Sequence, residues 1–151
     1  MLDLAPIWSR DAVPAALASV LGASEDADRD LIHAIAAILD KRPTLVVLDN
    51  FEHVLGARDD VRAILRRATT TTVLTTSRVP LGLAGEHVAE LERLTGPASV
   101  ADVEIAPASA VFLRRARDLG RLTSVDPADA DAIVEICHRL DGLPLALELA
   151  A

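Results

Sequence analysis

The stretch TLVVLDNFEHVL, residues 44–55, decides the fold class of this chain. It joins a continuous run of apolar residues to an acid, Asp49, and an amide, Asn50. Such runs are typical of strands that are buried on both faces of a parallel sheet. An acid directly after the strand lies at the carboxyl edge of the sheet, where open α/β sheets bind ligands. We therefore expect Asp49 to face a ligand.

Helical and strand patterns alternate on both sides of this stretch. Three segments place apolar residues at helical spacing, and these are 11–22, 28–42 and 61–68. Three others are β-branched or alternate in polarity and are predicted as strands, and these are 2–7, 71–77 and 87–94. Strands separated by helices imply βα units and a parallel sheet. The sequence therefore predicts an α/β domain over 1–96.

The remainder of the chain has a different texture. A stretch over 97–106 is predicted as a linker, and helical patterns follow it. The predicted helices are 108–120, 126–142 and a third that Pro144 opens. In the second of these, Asp126 is placed to cap the helix and Pro127 to occupy its first position. We therefore expect a small helical subdomain over 107–151.

Composition and charge exclude several classes of protein. The chain has 151 residues and a net charge of −8, with no Tyr, one Trp and two Phe. An acidic chain without a basic stripe or an aromatic platform is a poor nucleic-acid binder by itself. One cysteine, Cys137, excludes an internal disulfide and a Cys-rich zinc site, and we expect it in the core. No signal peptide and no apolar run near 18 residues stand out, so we expect a cytoplasmic protein without a membrane span.

The predicted strand 71–77 also ends in polar residues. There Ser77 and Arg78 come directly after three threonines in five residues. A carboxylate and an arginine at one sheet edge suit a phosphate group with Mg²⁺, because the acid holds the hydrated metal and the guanidinium binds phosphate oxygens. The alternative is that Asp49 caps the following helix and Arg78 is a solvated loop residue. Spacing alone leaves both readings open.

Three segments together resemble a known family. LVVLDNFEHVL, TVLTTSRVPLGLAGEH and EICHRLDGLPLALELAA resemble, in that order, the NB-ARC-like ATPase domain of bacterial STAND regulators. These are large signal-transducing P-loop NTPases, often with a DNA-binding domain elsewhere in the chain. The resemblance runs from about residue 2 to the end. It implies a P-loop NTPase core followed by a helical lid, with ATP or ADP and Mg²⁺ as cofactors.

The resemblance also implies roles for individual residues. Asp49 looks like the Walker B acid of the Mg²⁺ shell. Arg78, with Ser77, looks like the sensor arginine that reads the terminal phosphate. Gly142 and Pro144 fall in a GLPLA motif, whose proline lies against the adenine in the family.

Two departures from the family pattern bear on activity. Many relatives carry an acid after the Walker B aspartate, whereas Asn50 is an amide that cannot act as a base; Glu52 or water is the candidate substitute. The Walker A loop GxxxxGK[ST] is absent, because the only lysine, Lys41, follows Asp40 with no glycine near. We expect the family's P-loop upstream, with its strand between those predicted at 71–77 and 87–94. The chain is thus expected to be a fragment, inactive as an ATPase by itself.

Two other functions are weighed against a nucleotide switch. A degenerate interaction module would keep the fold and bind no nucleotide, and both departures favour it. A phosphoacceptor receiver domain would use Asp49 and Thr76, but it needs an acid pair where the chain has Asp3 alone, and a lysine later than Lys41. The partners implied by the resemblance are an upstream P-loop segment, winged-helix or repeat domains and a DNA-binding domain. An oligomeric active state is compatible with it.

Overall fold

The computed structural model describes residues 1–24 and 30–151. These residues form two compact units, Met1–Val88 and Ala89–Ala151, and each is described by itself. The first two residues of the predicted helix 28–42 lie outside the described residues. The predicted division at 96 and 107 stays a prediction.

The first unit is a small parallel sheet with helices. Its strands are β1 (Leu2–Asp3), β2 (Thr44–Asp49) and β3 (Thr71–Thr75), and its helices are α1 (Ala12–Leu21), α2 (Leu31–Leu39) and α3 (Arg58–Leu65). A 3₁₀ helix, Phe51–Ala57, follows β2. The strand order is β1-β2-β3 and both pairings are parallel. The predicted α/β class with a parallel sheet is therefore confirmed for the described residues.

The helix ends of this unit follow local chemistry. Gly22 caps α1 in the left-handed conformation (φ 68°), as the sequence predicts, and its N–H donates to carbonyls of the last turn. Asp30 caps α2, accepting a hydrogen bond from the N–H of Ile32 at 3.3 Å. Helix α3 begins three residues before its predicted start, at Arg58.

The sheet is buried on one face only. Val46 and Leu48 of β2 belong to the core that the helices build with Leu4, Ile35 and other apolar residues. On the opposite face the side chains of Leu45 and Leu74 are 59% and 54% exposed. The prediction that β2 is buried on both faces is therefore wrong for the described structure. The apolar run of β2 gives both faces of the strand side chains that could pack. The helices of this unit cover only the face that carries Val46 and Leu48.

The first strand is shorter than the predicted 2–7. Only Leu2 and Asp3 pair with β2. The Asp3 carboxylate then accepts the N–H of Ala5 at 2.9 Å, and the N–H of Ile7 donates to the carbonyl of Leu4 at 2.8 Å. Pro6 has no N–H to offer a ladder. The chain therefore leaves the sheet in a turn.

The predicted strand 87–94 does not form. The segment has no regular structure, and Val88 and Leu91 are 57% and 96% exposed. Alternating polarity specifies which residues would share a face, but a strand also requires a hydrogen-bonding partner. None of the three described strands pairs with this segment.

The second unit is helical. It contains α4 (Pro107–Asp118), α5 (Pro127–Arg139) and α6 (Pro144–Ala150), with a short 3₁₀ helix at Val100–Asp102. Asp126 and Asp129 form a reciprocal capping box before α5, and Pro127 opens it, as predicted. Pro144 opens α6, as predicted.

Aliphatic side chains and Phe112 make up the core of the second unit. Leu147 is completely buried, and Cys137 is 1% exposed, as expected for a core residue. Burial raises the pKa of the Cys137 thiol. Across the part of the chain that is described, no helix combines the length and apolar character that a bilayer crossing requires.

Candidate functional site

The carboxyl ends of the three strands lie side by side. Asp3 is the register partner of Asp49, and the N–H of Thr76 donates to the carbonyl of Leu48 at 3.0 Å. The N–H of Phe51 in turn donates to the carbonyl of Thr76 at 3.0 Å. The residues that leave β2 and β3 are therefore held together at one edge of the sheet.

A threonine hydroxyl connects the two strand ends. The Oγ1 of Thr76 donates to Oδ1 of Asp49 and accepts the N–H of Asn50 at 3.0 Å. Among the described residues the other oxygen of Asp49, Oδ2, accepts no hydrogen bond. The hydrogen bond from Thr76 orients this half-buried carboxylate, and within the described residues its Oδ2 is left for a ligand.

Asn50 has an unusual backbone and a directed side chain. Its φ is 61°, in the left-handed region that asparagine tolerates better than most residues. Its Nδ2 donates to Oδ1 of Asp3 at 3.1 Å. Because an ionised carboxylate can only accept, the amide nitrogen must face Asp3 and the amide oxygen faces elsewhere.

Asp3 also belongs to the site, although the sequence indicated it only as the lone acid of the receiver alternative. Hydrogen bonds from the N–H of Ala5, first, and from the Asn50 amide hold its pKa below the ordinary value. Its position at the end of the first strand was the available signal. The sequence could not show that Asp3 pairs with Asp49, because pairing between strands far apart in the chain is a property of the fold.

Arg78 and Glu52 form an ion pair at the same edge. Nε of Arg78 lies 2.9 Å from Oε1 of Glu52, whose side chain is 19% exposed, against 85% for the arginine. The pKa of Glu52 is held below its ordinary value by its own backbone N–H and then by Arg78. A paired carboxylate with a lowered pKa is a weak base, which disfavours Glu52 as a substitute for the missing acid.

The loop after β3 closes on itself. The hydroxyl of Ser77 accepts the N–H of Val79 at 3.3 Å. Further on, the Glu86 carboxylate accepts the N–H groups of three successive residues, Leu81, Gly82 and Leu83, at 2.6–3.0 Å. These hydrogen bonds fix the path of the backbone that follows Arg78.

Gly142 and Pro144 belong to the second unit. Gly142 has φ 64°, and its carbonyl accepts the N–H of Leu94 at 3.0 Å. A Cβ at position 142 would lie 2.0 Å from the carbonyl oxygen of Leu94. The approach of two backbones explains this glycine without a ligand, while Pro144 is exposed at the start of α6. Their proposed part in adenine binding stays a prediction.

The receiver alternative fails on the placement of its lysine. Lys41 precedes the first residue of β2, Thr44, whereas Asp49 is the last residue of that strand. The two are therefore at opposite edges of the sheet. A receiver needs the ammonium beside the phosphoacceptor.

The chain is similar in sequence to several mycobacterial proteins. It is 35% identical over 150 residues to the uncharacterized protein Rv0894 of Mycobacterium tuberculosis, which covers 99% of this chain and 36% of that protein. It is also 35% identical over 151 residues to "Putative HTH-type transcriptional regulator Rv0890c" of the same organism, covering 99% of this chain and 16% of that protein. A counterpart in Mycobacterium bovis, Mb0914c, carries the same description. No protein-family profile and no solved structure matches the chain.

The chain therefore spans about a third of one group of curated relatives and a sixth of the other. Similarity extends along nearly the whole of this chain in both groups. The relatives of the second group are described as putative HTH-type transcriptional regulators.

Proposed function

We propose that this chain is the part of a nucleotide-dependent switch that reads phosphate and Mg²⁺, within a multidomain transcriptional regulator. The observation that carries the proposal is that Thr76 binds both Asp49 and Asn50 at one sheet edge, while Arg78 pairs with Glu52, two residues after Asn50. The regulatory context comes from relatives described as HTH-type regulators. The family resemblance supplies ATP or ADP as the nucleotide.

The donor set at this edge suits Mg²⁺ held jointly with phosphate. In the described part of the chain no three metal-binding side chains cluster together, so no all-protein metal cage exists there. Mg²⁺ is usually held by one or two carboxylates, with phosphate oxygens and water completing the octahedron. Asp49, fixed by Thr76 and with Oδ2 free, would be that carboxylate.

The phosphate-binding half of the site is incomplete. Arg78 offers a guanidinium, but the sequence contains no Walker A glycines, and its only lysine precedes the opposite end of β2. A P-loop from another segment or chain would supply the backbone N–H cradle and the lysine. In the switch, Asp49 would hold the metal, Arg78 would bind the phosphate through its guanidinium, and the Asn50 amide oxygen would be available to orient water. Without a general base, hydrolysis is slow, as suits a switch.

A nucleotide titration tests this function. The ¹⁵N-labelled chain is titrated with Mg-ADP and with ADP alone, following backbone amide shifts. Because the P-loop is absent, we expect weak binding, with shifts confined to residues around 49–52 and 76–78. Asp49→Asn should remove the Mg²⁺ dependence, and Arg78→Ala should weaken binding in both conditions.

Two exposed residues of α3 and its cap supply matched controls. Asp59→Asn and Arg66→Ala make the same charge changes at exposed residues for which the structure gives no hydrogen bond to Asp49, Asn50 or Arg78. Both should leave the titration unchanged. Shifts spread over the whole surface, or equal effects of control and site variants, would contradict the proposal.

The second candidate is a non-catalytic interaction module. The uncovered face of the sheet favours it, because Leu45 and Leu74 form an apolar surface ready for a partner. This function predicts a folded chain that is indifferent to Mg-ADP and Mg-ATP at millimolar concentration. The same titration therefore separates the two candidates.

A further inference from the structure

The Arg78–Glu52 pair is asymmetric in burial. The arginine side chain is 85% exposed and the glutamate 19% exposed. Glu52 is therefore held by its surroundings, whereas the position of the Arg78 side chain depends on its contact with Glu52.

Glu52 is anchored to both strand ends. It follows Phe51, which is completely buried and whose N–H donates to the carbonyl of Thr76, and it precedes buried Val54 by two residues. The 3₁₀ helix that carries Glu52 is thereby attached to β2 by the chain and to the end of β3 by a hydrogen bond. Its carboxylate stands at a defined place relative to Asp49.

The guanidinium of Arg78 is held on one edge. Nε donates to Glu52 at 2.9 Å, and among residues 1–24 and 30–151 the two terminal nitrogens have no hydrogen-bond partner. A guanidinium presents five N–H groups in a planar fork, and its terminal edge matches two oxygens of a phosphate. Glu52 thus binds the Nε side of the guanidinium and leaves the two terminal nitrogens available for a phosphate.

We propose that Glu52 is a positioning residue for Arg78, holding the Nε edge so that the terminal edge is presented to a phosphoryl group. This inference rests on the proposed function and adds a residue to its phosphate-reading part. A free arginine side chain loses rotamer entropy when it binds a ligand. The ion pair removes part of that loss before the phosphate arrives.

Electrostatics alone predicts the opposite effect of removing Glu52. Deleting a negative charge beside an anion site should tighten anion binding, and the chain already carries a net charge of −8. Weaker anion binding after loss of Glu52 would therefore reveal positioning. Tighter binding would reveal that Glu52 competes with phosphate for Arg78.

The test uses inorganic pyrophosphate as the probe, with ¹H–¹⁵N signals of the arginine Nε groups as the readout. The variants are Glu52→Ala, Glu52→Gln and Arg78→Ala, and the control is Glu135→Gln, which removes the negative charge from an i,i+4 ion pair with Arg139 on α5. In the parent chain we expect the Arg78 Nε signal to stay in place as pyrophosphate binds. Glu52→Ala should move that signal and weaken binding about 3- to 10-fold, while Glu52→Gln, which still accepts from Nε, restores part of the affinity.

The outcomes separate this inference from the proposed function. Glu135→Gln should bind pyrophosphate as well as the parent or slightly better, and the backbone spectrum of each variant shows that it is folded. The inference alone is overturned if Glu52→Ala binds pyrophosphate as tightly as the parent or more tightly. It is also overturned if pyrophosphate moves the Arg78 Nε signal of the parent to the position that this signal has in Glu52→Ala. Equal responses of the parent and Arg78→Ala to pyrophosphate overturn both, because Arg78 would then read no phosphate.

Discussion

The backbone of Asn50 turns at a left-handed φ of 61° directly after β2. A side chain with a branched Cβ is strained there, whereas glycine is not. We expect Asn50→Val to lower the free energy of unfolding by about 1–3 kcal/mol, and Asn50→Gly by less than half as much. Urea unfolding followed by circular dichroism measures both.

A control for the valine substitution is Thr72→Val, at an exposed position of β3. Valine suits an extended strand, so this change should be close to neutral. If Asn50→Val and Asn50→Gly cost the same, the left-handed backbone is not what selects this residue.

Gly142 illustrates a different constraint at the residue scale, since both φ and space forbid a side chain. Gly142→Ala places a methyl group 2.0 Å from the carbonyl oxygen of Leu94, in addition to the strain of φ 64°. We expect a cost of about 3 kcal/mol. Gly120→Ala is the matched control, because φ is 68° and nothing lies within 4 Å of its Cβ, so only about 1 kcal/mol is lost. Thermal unfolding compares the two, and equal costs would show that the contact with Leu94 relaxes freely.

At the scale of elements, the loop after β3 depends on an ionised glutamate. The N–H of Leu81, and then those of Leu83 and Gly82, hold the pKa of Glu86 below its ordinary value. A group with a lowered folded-state pKa contributes stability above its unfolded pKa of about 4.3, and this is lost as pH falls through the folded pKa. We expect the Gly82 amide signal to be steady from pH 7 to 5 and to move only at pH values below the ordinary glutamate pKa.

The control for this titration is Glu86→Gln. An amide oxygen accepts one or two of these hydrogen bonds without titrating, so the Gly82 signal should shift at neutral pH and then change little on acidification. A Gly82 signal that titrates equally in parent and variant would assign the transition to another group. The Arg78 Nε signal, followed in the same spectra, reports whether the loop affects the arginine.

At the scale of the first unit, the sheet separates a covered face from an uncovered one. Leu45→Lys changes a side chain that is 59% exposed, and we expect it to alter the free energy of unfolding by less than about 0.5 kcal/mol. Leu48→Ala on the covered face, where Leu48 is 1% exposed, should cost about 2–5 kcal/mol. Urea unfolding of both variants measures the difference. A large cost for Leu45→Lys would mean that something in the molecule covers this face.

The uncovered face also shows why part of the fold could not be predicted. The run 44–49 is apolar on both sides, so sequence alone indicates burial on both. Whether a helix covers each face depends on which segments cross it, and in the described first unit the helices pack against Val46 and Leu48. The unformed strand at 87–94 fails for a related reason, because its partner cannot be read from its own residues.

The sequence by itself determined the α/β class, the end of α1 at Gly22, the start of α5 at Asp126 and Pro127, and the polar residues that end β2 at Asp49 and follow β3 up to Arg78. Each of these depends on neighbours a few residues apart, through periodicity, capping and strand ends. Tertiary structure alone decided that Asp3 orients Asn50, that Thr76 holds Asp49 and that Glu52 holds Arg78. These contacts join residues 26–47 positions apart, so they exist only once the parallel sheet has set its register.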